Sequence, residues 1–387
     1  MPERMLLQRL YIHNFRCFEN FEFKPGGQTA SLLIGKNGSG KSSLMHTLAL
    51  LQAIGRGRTR LGELVTPADF TRGRSDIPMR FELEVLLHGK AYAYSLVLEL
   101  PEKFRELRVL HERLTVDGEP IFTREKADIT IPRTAQKRDD TVFSMDWHLI
   151  ALPVIQDATT AAALQNLRDW LAAMVLLSPI PQTIRSEALG SDTAIEHSAR
   201  NLPDWLAGLL ERYPAAYTTV VDHLKQVIPD LTALRFERLG RDARALIIQF
   251  ASAPESMELP ISALSDGEKC FFIGAILLAA NQQAGPLLAF WDEPDNNIAP
   301  HEINQLIVAL KRNFFQNKGQ LIVSSHNPQA IQCFSDDSIW VMGRRTHLEP
   351  TQIRCLDELH PSTEGKTHAS QPQLLQRLLD GDIDPWL

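Results

Sequence analysis

GKNGSGKSS, residues 35–43, decides the reading of this chain. Gly35, Gly40, Lys41 and Ser42 satisfy the pattern G-x-x-x-x-G-K-[ST]. An apolar run at 31–34 precedes it, and SSLMHTLALLQAI follows with Leu44, Leu48 and Leu51 at helical spacing. Strand, glycine-rich loop and helix is the order that cradles phosphate. Glycines let the backbone of Lys36, Asn37, Gly38, Ser39 and Gly40 approach an anion with its N–H groups turned inward, and the helix that carries Ser43 adds its positive end. Lys41 then reaches the β/γ-phosphates, and Ser42 can ligate magnesium. A chemically idle Gly/Ser turn is the alternative, so the rest of the chain must decide.

The chain has 387 residues, of which 44% are hydrophobic and 22% charged, as in ordinary globular proteins with room for two or three units. The net charge of −7 provides no global basic face for nucleic acid, so any DNA contact must be local. The longest apolar run, FFIGAILLAA from Phe271, is too short to span a membrane, and the polar start does not read as a signal peptide. Cys17, Cys270, Cys333 and Cys355 lie far apart without a C-x-x-C pair, which fits a reducing cytoplasm.

Residues 6–23 read as two short strands around Asn14-Phe15-Arg16. From 79 to 131 the chain alternates as a strand meander broken at His88-Gly89-Lys90 and Asp117-Gly118, which predicts an antiparallel sheet. The middle, 151–260, carries helical stretches (TTAAALQNLRDWLAAMVLL, YTTVVDHLKQVI) cut by Pro179, Pro181, Pro203, Pro214 and Pro229, so no long coiled coil runs through it. A strand pair, LTALRFERL and RALIIQFA, follows. Strand and helix then alternate from 261 to 358, implying a parallel sheet, and 359–387 reads as a tail with a short terminal helix. The expected organisation is an N-terminal lobe (1–150), a helical insertion or lid with a strand pair (151–260), a C-terminal lobe (261–358) and the tail.

Three further stretches carry chemistry. LLAFWDEP, 287–294, is an apolar strand ending in two carboxylates; Asp292 suits a magnesium shell, and Glu293 suits orienting or deprotonating water. In ALSDGEKCFF, 263–272, Ser265 and the Gly267 N–H stand where a helix begins, which is either an N-cap or a second anion site. LIVSSHNPQ, 321–329, places His326 after a buried strand, either as a structural histidine or as a polarising contact to a γ-phosphate.

Together these stretches resemble the nucleotide-binding head of the ATP-binding-cassette superfamily. Residues 35–42 match Walker A, 264–268 the signature, 287–293 Walker B with its catalytic glutamate, 295–299 the D-loop, and His326 the switch histidine. Within that superfamily LYIHNFRCFENFEF, GKNGSGKSS and LSDGEK resemble the SMC/RecF branch, and most closely ATPase domains related to the OLD (overcoming lysogenisation defect) family. Asp266 and Glu268 differ from transporter signatures in a way that this branch tolerates, and Ala299 stands where a histidine often precedes the D-loop proline. A transporter subunit is the reading from another class, and the N-terminal hairpin, LSDGE and the insertion before it count against it.

The resemblance implies an α/β, ABC-type ATPase head with a parallel P-loop sheet, an antiparallel β-subdomain and a helical insertion. It implies ATP and Mg2+ as cofactors, with Arg16 near the nucleotide, Glu293 and His326 catalytic, and Ser42 and Asp292 on the metal. It further implies a head-to-tail homodimer or higher even oligomer, in which Ser265, Asp266, Gly267 and Glu268 act in trans beside the D-loop residues Asp295, Asn296 and Asn297. OLD-type nucleases carry a metal-binding nuclease domain after the ATPase, whereas 327–387 shows no such acidic cluster. The expectation is therefore a sensor or switch acting through a separate effector, a nuclease or toxin, in prokaryotic anti-phage defence. A DNA-repair ATPase that binds DNA directly is the alternative. For that DNA contact Arg56, Arg58 and Arg60, with Arg72 and Arg74, are the candidates, and a solvated loop fits the same residues.

Overall fold

A computed structural model describes residues 4–132, 139–157 and 160–359. The expected terminal helix lies outside the described residues. The chain divides into two compact units, Met1–Met174 with Asp336–Leu387, and Val175–Ser335.

The first unit contains an antiparallel sheet in the order Phe21–Phe23, Leu6–His13, Met79–Leu87, Lys90–Glu99, Arg108–Val116, Glu119–Glu125, Asp128–Ile131 and Thr141–Ser144. Alternation builds it: Met79, Phe81, Leu83, Val85 and Leu87 point inward, while the residues between them are more exposed. The tight turns are where the sequence placed them. His88-Gly89 and Asp117-Gly118 both have positive φ (50° and 72°; 52° and 85°), the backbone that two-residue hairpins require.

Beneath this sheet a fully buried ion pair ties down the chain that follows. Glu112 and Arg124 lie 3.6 Å apart. Glu112 accepts from the Tyr94 hydroxyl (3.0 Å) and from the amides of Ala151 (2.7 Å) and Leu152 (2.9 Å). Arg124 donates to the carbonyls of Lys126, Asp146 and Leu149. Burial pushes the Glu112 carboxyl above its ordinary value, and these hydrogen bonds with the guanidinium charge pull against it.

The same unit holds the strand Ala30–Ile34, parallel to Ile339–Gly343, which pairs antiparallel with Gln352–Cys355. After the glycine loop comes the helix Lys41–Gly55, burying Leu44, Leu48 and Leu51 as their spacing requires. It packs on the helix Ala161–Ala173 so closely that a Cβ on Gly55 would lie 2.5 Å from that of Leu171.

In the second unit Val175–Leu177, Leu288–Asp292 and Gln320–Ser324 form a parallel run, with Leu288–Asp292 in the middle. The helices Leu202–Arg212, Ala216–Val227, Asp266–Ala284 and Pro300–Gln316 belong to it. Two local expectations are corrected here. VLL at 175–177 is not the end of a helix but a strand, because its three buried side chains sit in parallel register with Ala289, Phe290 and Trp291. The expected strand pair has further members: Ala243–Ser252 pairs with Leu231–Leu239 on one flank, and with Glu187–Ala188 and Glu255–Pro260 on the other. Glu255–Pro260 was hidden because it is exposed and buries no alternating face. Trp170 and Trp205 are buried.

Candidate functional site

The cradle lies in the first unit. Gly35 has φ 153°, and a Cβ there would stand 2.1 Å from the Met342 carbonyl oxygen. Gly40, the residue before the helix, has φ 106°, and its Cβ would fall 2.9 Å from Cys17 Sγ and 3.2 Å from Thr351 Oγ1. No side chain caps this helix, and its first turn carries no acid, so no local carboxylate offsets its positive end. Lys41 is buried, with its ammonium donating to the Gly35 carbonyl (2.7 Å) across the loop. Lys36, Asn37, Gly38 and Ser42 are exposed, whereas Ser39 is buried and Ser43 half-buried. A loop that two side chains would obstruct, ringed by N–H groups and a lysine, fits a phosphate chain. The hydroxyl of Ser42 is the hard oxygen donor that magnesium takes.

Arg16 sits at positive φ (53°) in the turn after the first strand; its guanidinium bonds Asp69 (3.2 Å) and lies over the Phe15 ring. The arginines considered for DNA are partly occupied. Arg56 donates to the Ala172 carbonyl (3.2 Å), Arg58 pairs with Glu63 (3.2 Å), and Arg72 and Arg74 both pair with Glu19, while Arg60 is exposed.

The carboxylates lie in the second unit. Asp292 ends its strand in register with Ser324 of the neighbouring strand. The Ser324 hydroxyl donates to the Asp292 carboxylate and accepts from the Glu293 amide (3.1 Å), which also bonds the Ser324 carbonyl. Glu293 is held at φ 51°, in the left-handed region, so the chain leaves strand geometry immediately after Asp292. One Glu293 oxygen accepts from Asn296 Nδ2 (2.8 Å), and the other lies 3.8 Å from His326 Nε2. Asp295 is pushed above the ordinary carboxylate range by burial and by the Glu293 charge, with a Ser325 hydrogen bond opposing them. Asp292, Glu293, Asp295, Asn296 and His326 thus form one cluster. Sequence reasoning missed Ser324, whose only sign was its place two residues before His326 at a buried strand's end.

Residues 265–268 and 295–297 meet in the second unit. Ser265 caps the helix Asp266–Ala284 reciprocally: its hydroxyl accepts from the Glu268 amide (3.2 Å), and Glu268 accepts from the Ser265 amide (2.8 Å) and hydroxyl (2.7 Å). Asp266 accepts from Gln182 and lies 3.6 Å from Lys269. A Cβ on Gly267 would stand 2.7 Å from the Asn297 carbonyl oxygen, so the missing side chain admits the loop at 295–297. Cys270, in this helix, is pushed up to about 12 by burial. Among the described residues no group of three or more His, Cys, Asp or Glu is placed to hold a metal, and no helix is long and apolar enough to cross a membrane.

A family model described as "AAA domain, putative AbiEii toxin, Type IV TA system" matches residues 31–331, from the strand before the cradle to the helix after His326. The chain belongs to this AbiEii-type AAA family. The fold agrees with that membership. The chain is similar to an SMC head bound to the C-winged helix domain of ScpA, at 14% identity and a TM-score of 0.55 over 91% of this chain and 98% of that one. It is also similar to an SMC head with an extended coiled coil bound to the C-terminal domain of ScpA derived from Pyrococcus furiosus, at 12% identity and a TM-score of 0.53 over 92% and 97%. The AbiEii-type AAA domain therefore has the ABC-type ATPase head fold of the SMC/RecF branch. No protein of curated description matches it.

Proposed function

We propose that this AbiEii-type AAA domain binds and hydrolyses ATP with Mg2+, dimerises head to tail around the nucleotide, and switches a separate effector in a prokaryotic defence or toxin–antitoxin setting. The observation that carries the reading is the Asp292–Ser324–Glu293 arrangement. One buried hydroxyl bonds both the Asp292 carboxylate and the Glu293 amide at a strand end, and the Glu293 carboxylate lies between Asn296 and His326.

Roles follow from donor chemistry. Lys41, with the amides of 36–40 and Ser43, binds the phosphates, and Arg16 lies toward the nucleotide. Ser42 in the first unit and Asp292 in the second each offer an oxygen donor of the kind Mg2+ takes, and the ion, when bound, would polarise the phosphate chain. Glu293 takes a proton from water, and His326 steadies the transferred group. Ser265 to Glu268, with Asp295 to Asn297, form the surface offered to the second chain's nucleotide. There the Ser265 hydroxyl exchanges its Glu268 partner for phosphate. The family description supports the toxin–antitoxin setting, and the ScpA-bound SMC heads support a protein partner.

Steady-state ATP turnover by wild type and Lys41→Ala, alone and with linear, circular and single-stranded DNA, tests the reading. Mg-dependent turnover that Lys41→Ala abolishes is expected. Turnover indifferent to that substitution, or none, overturns it. Stimulation by one DNA form would favour the repair-type alternative.

A further inference from the structure

The strand Ile339–Gly343 runs parallel to Ala30–Ile34 in the register Ile339 with Leu32, Trp340 with Leu33, and Val341 with Ile34. The two strands therefore leave the sheet at the same end. The Met342 carbonyl oxygen lies against Gly35, only 2.1 Å from where its Cβ would be. Two residues later Arg344 is set alongside the loop, with its Nη2 3.7 Å from the Cβ position of Gly38. Arg344 is half-buried, and it makes no hydrogen bond or ion pair among the described residues. A guanidinium in such a place carries a positive charge into a loop that already presents Lys41 and an uncapped helix end. No acidic residue in the helix's first turn offsets it. A guanidinium without a partner of its own beside a glycine-rich backbone loop is a ready donor set for an anion.

We infer that Arg344 is a second phosphate-binding cation of the cradle, supplied in cis by the strand next to the loop's own, and that it takes the polyphosphate of a bound nucleotide. The inference rests on the nucleotide reading above. Arginine suits the role because its fork presents several donors to phosphate oxygens and stays charged at every working pH.

The test is titration of N-methylanthraniloyl-ATP with Mg2+ into the full chain, comparing wild type with Arg344→Ala, Arg344→Lys and Lys41→Ala, with thermal unfolding recorded for each. Arg344→Ala is expected to raise Kd about 10- to 100-fold, as befits loss of a charge-assisted hydrogen bond. Arg344→Lys is expected to recover part of that loss, at an unfolding midpoint equal to wild type. Equal Kd for wild type and Arg344→Ala overturns the inference while leaving the nucleotide reading intact. A loss that Arg344→Lys does not relieve, or that tracks a lowered unfolding midpoint, overturns it in favour of a structural arginine. Wild type that binds no analogue overturns the nucleotide reading and the inference together.

Discussion

Ser324 stands opposite Asp292 in parallel register, and its hydroxyl bonds the aspartate while receiving the next residue's amide. Fully buried, it ties the Asp292 carboxylate to the backbone at which Glu293 leaves the strand. Ser324→Ala removes a hydrogen bond to a charged group, an interaction of about 1.5–3 kcal/mol. ATP turnover is expected to fall by about tenfold to a hundredfold with ATP affinity less affected, as kcat and KM measured separately will read.

The Gly267–Asn297 approach yields a second expectation. Gly267→Ala puts a methyl group 2.7 Å from a backbone carbonyl oxygen, so the D-loop must shift at a cost of about 1–3 kcal/mol. An alanine is otherwise welcome in a helix. Loss of stability in denaturant titrations, with loss of ATP-induced association, is expected; a more stable variant would show that the two segments do not press on each other.

At Gly40 the strain is conformational as well as steric, since φ is 106° and three side chains crowd the missing Cβ. Gly40→Ala is expected to abolish nucleotide binding, read by the same fluorescent titration. Wild-type affinity would place the phosphate elsewhere.

Glu112 concerns folding alone. Glu112→Ala leaves Arg124 buried without its counter-charge and frees the amides of Ala151 and Leu152, at an expected cost of about 3–5 kcal/mol. Hydrogen exchange at those two amides is expected to quicken first. Unchanged exchange would mean that the pair does not hold the segment.

How far the sequence carried this picture follows the distance over which each feature is encoded. The cradle was legible because its glycines, lysine and serine lie within one turn of chain and its strand and helix flank it directly. The meander was legible because His88-Gly89 and Asp117-Gly118 fix hairpins locally. Ser324, Arg344 and the Gly267–Asn297 contact were not legible. Each acquires its meaning from strand register or helix packing between segments about 30 residues or more apart, and no local pattern records that. VLL at 175–177 was absorbed into the preceding helical pattern because three apolar residues carry no period of their own.

We propose Glu293 as the base of an ATP-dependent, dimerising ATPase. The most direct measurement is Mg-ATP hydrolysis together with molar mass by light scattering, for wild type and Glu293→Gln. Glu293→Gln is expected to lose about 10²–10⁴-fold in turnover and to accumulate as an ATP-bound dimer that Ser265→Arg prevents. Wild-type turnover by Glu293→Gln, or a monomer throughout, would contradict it.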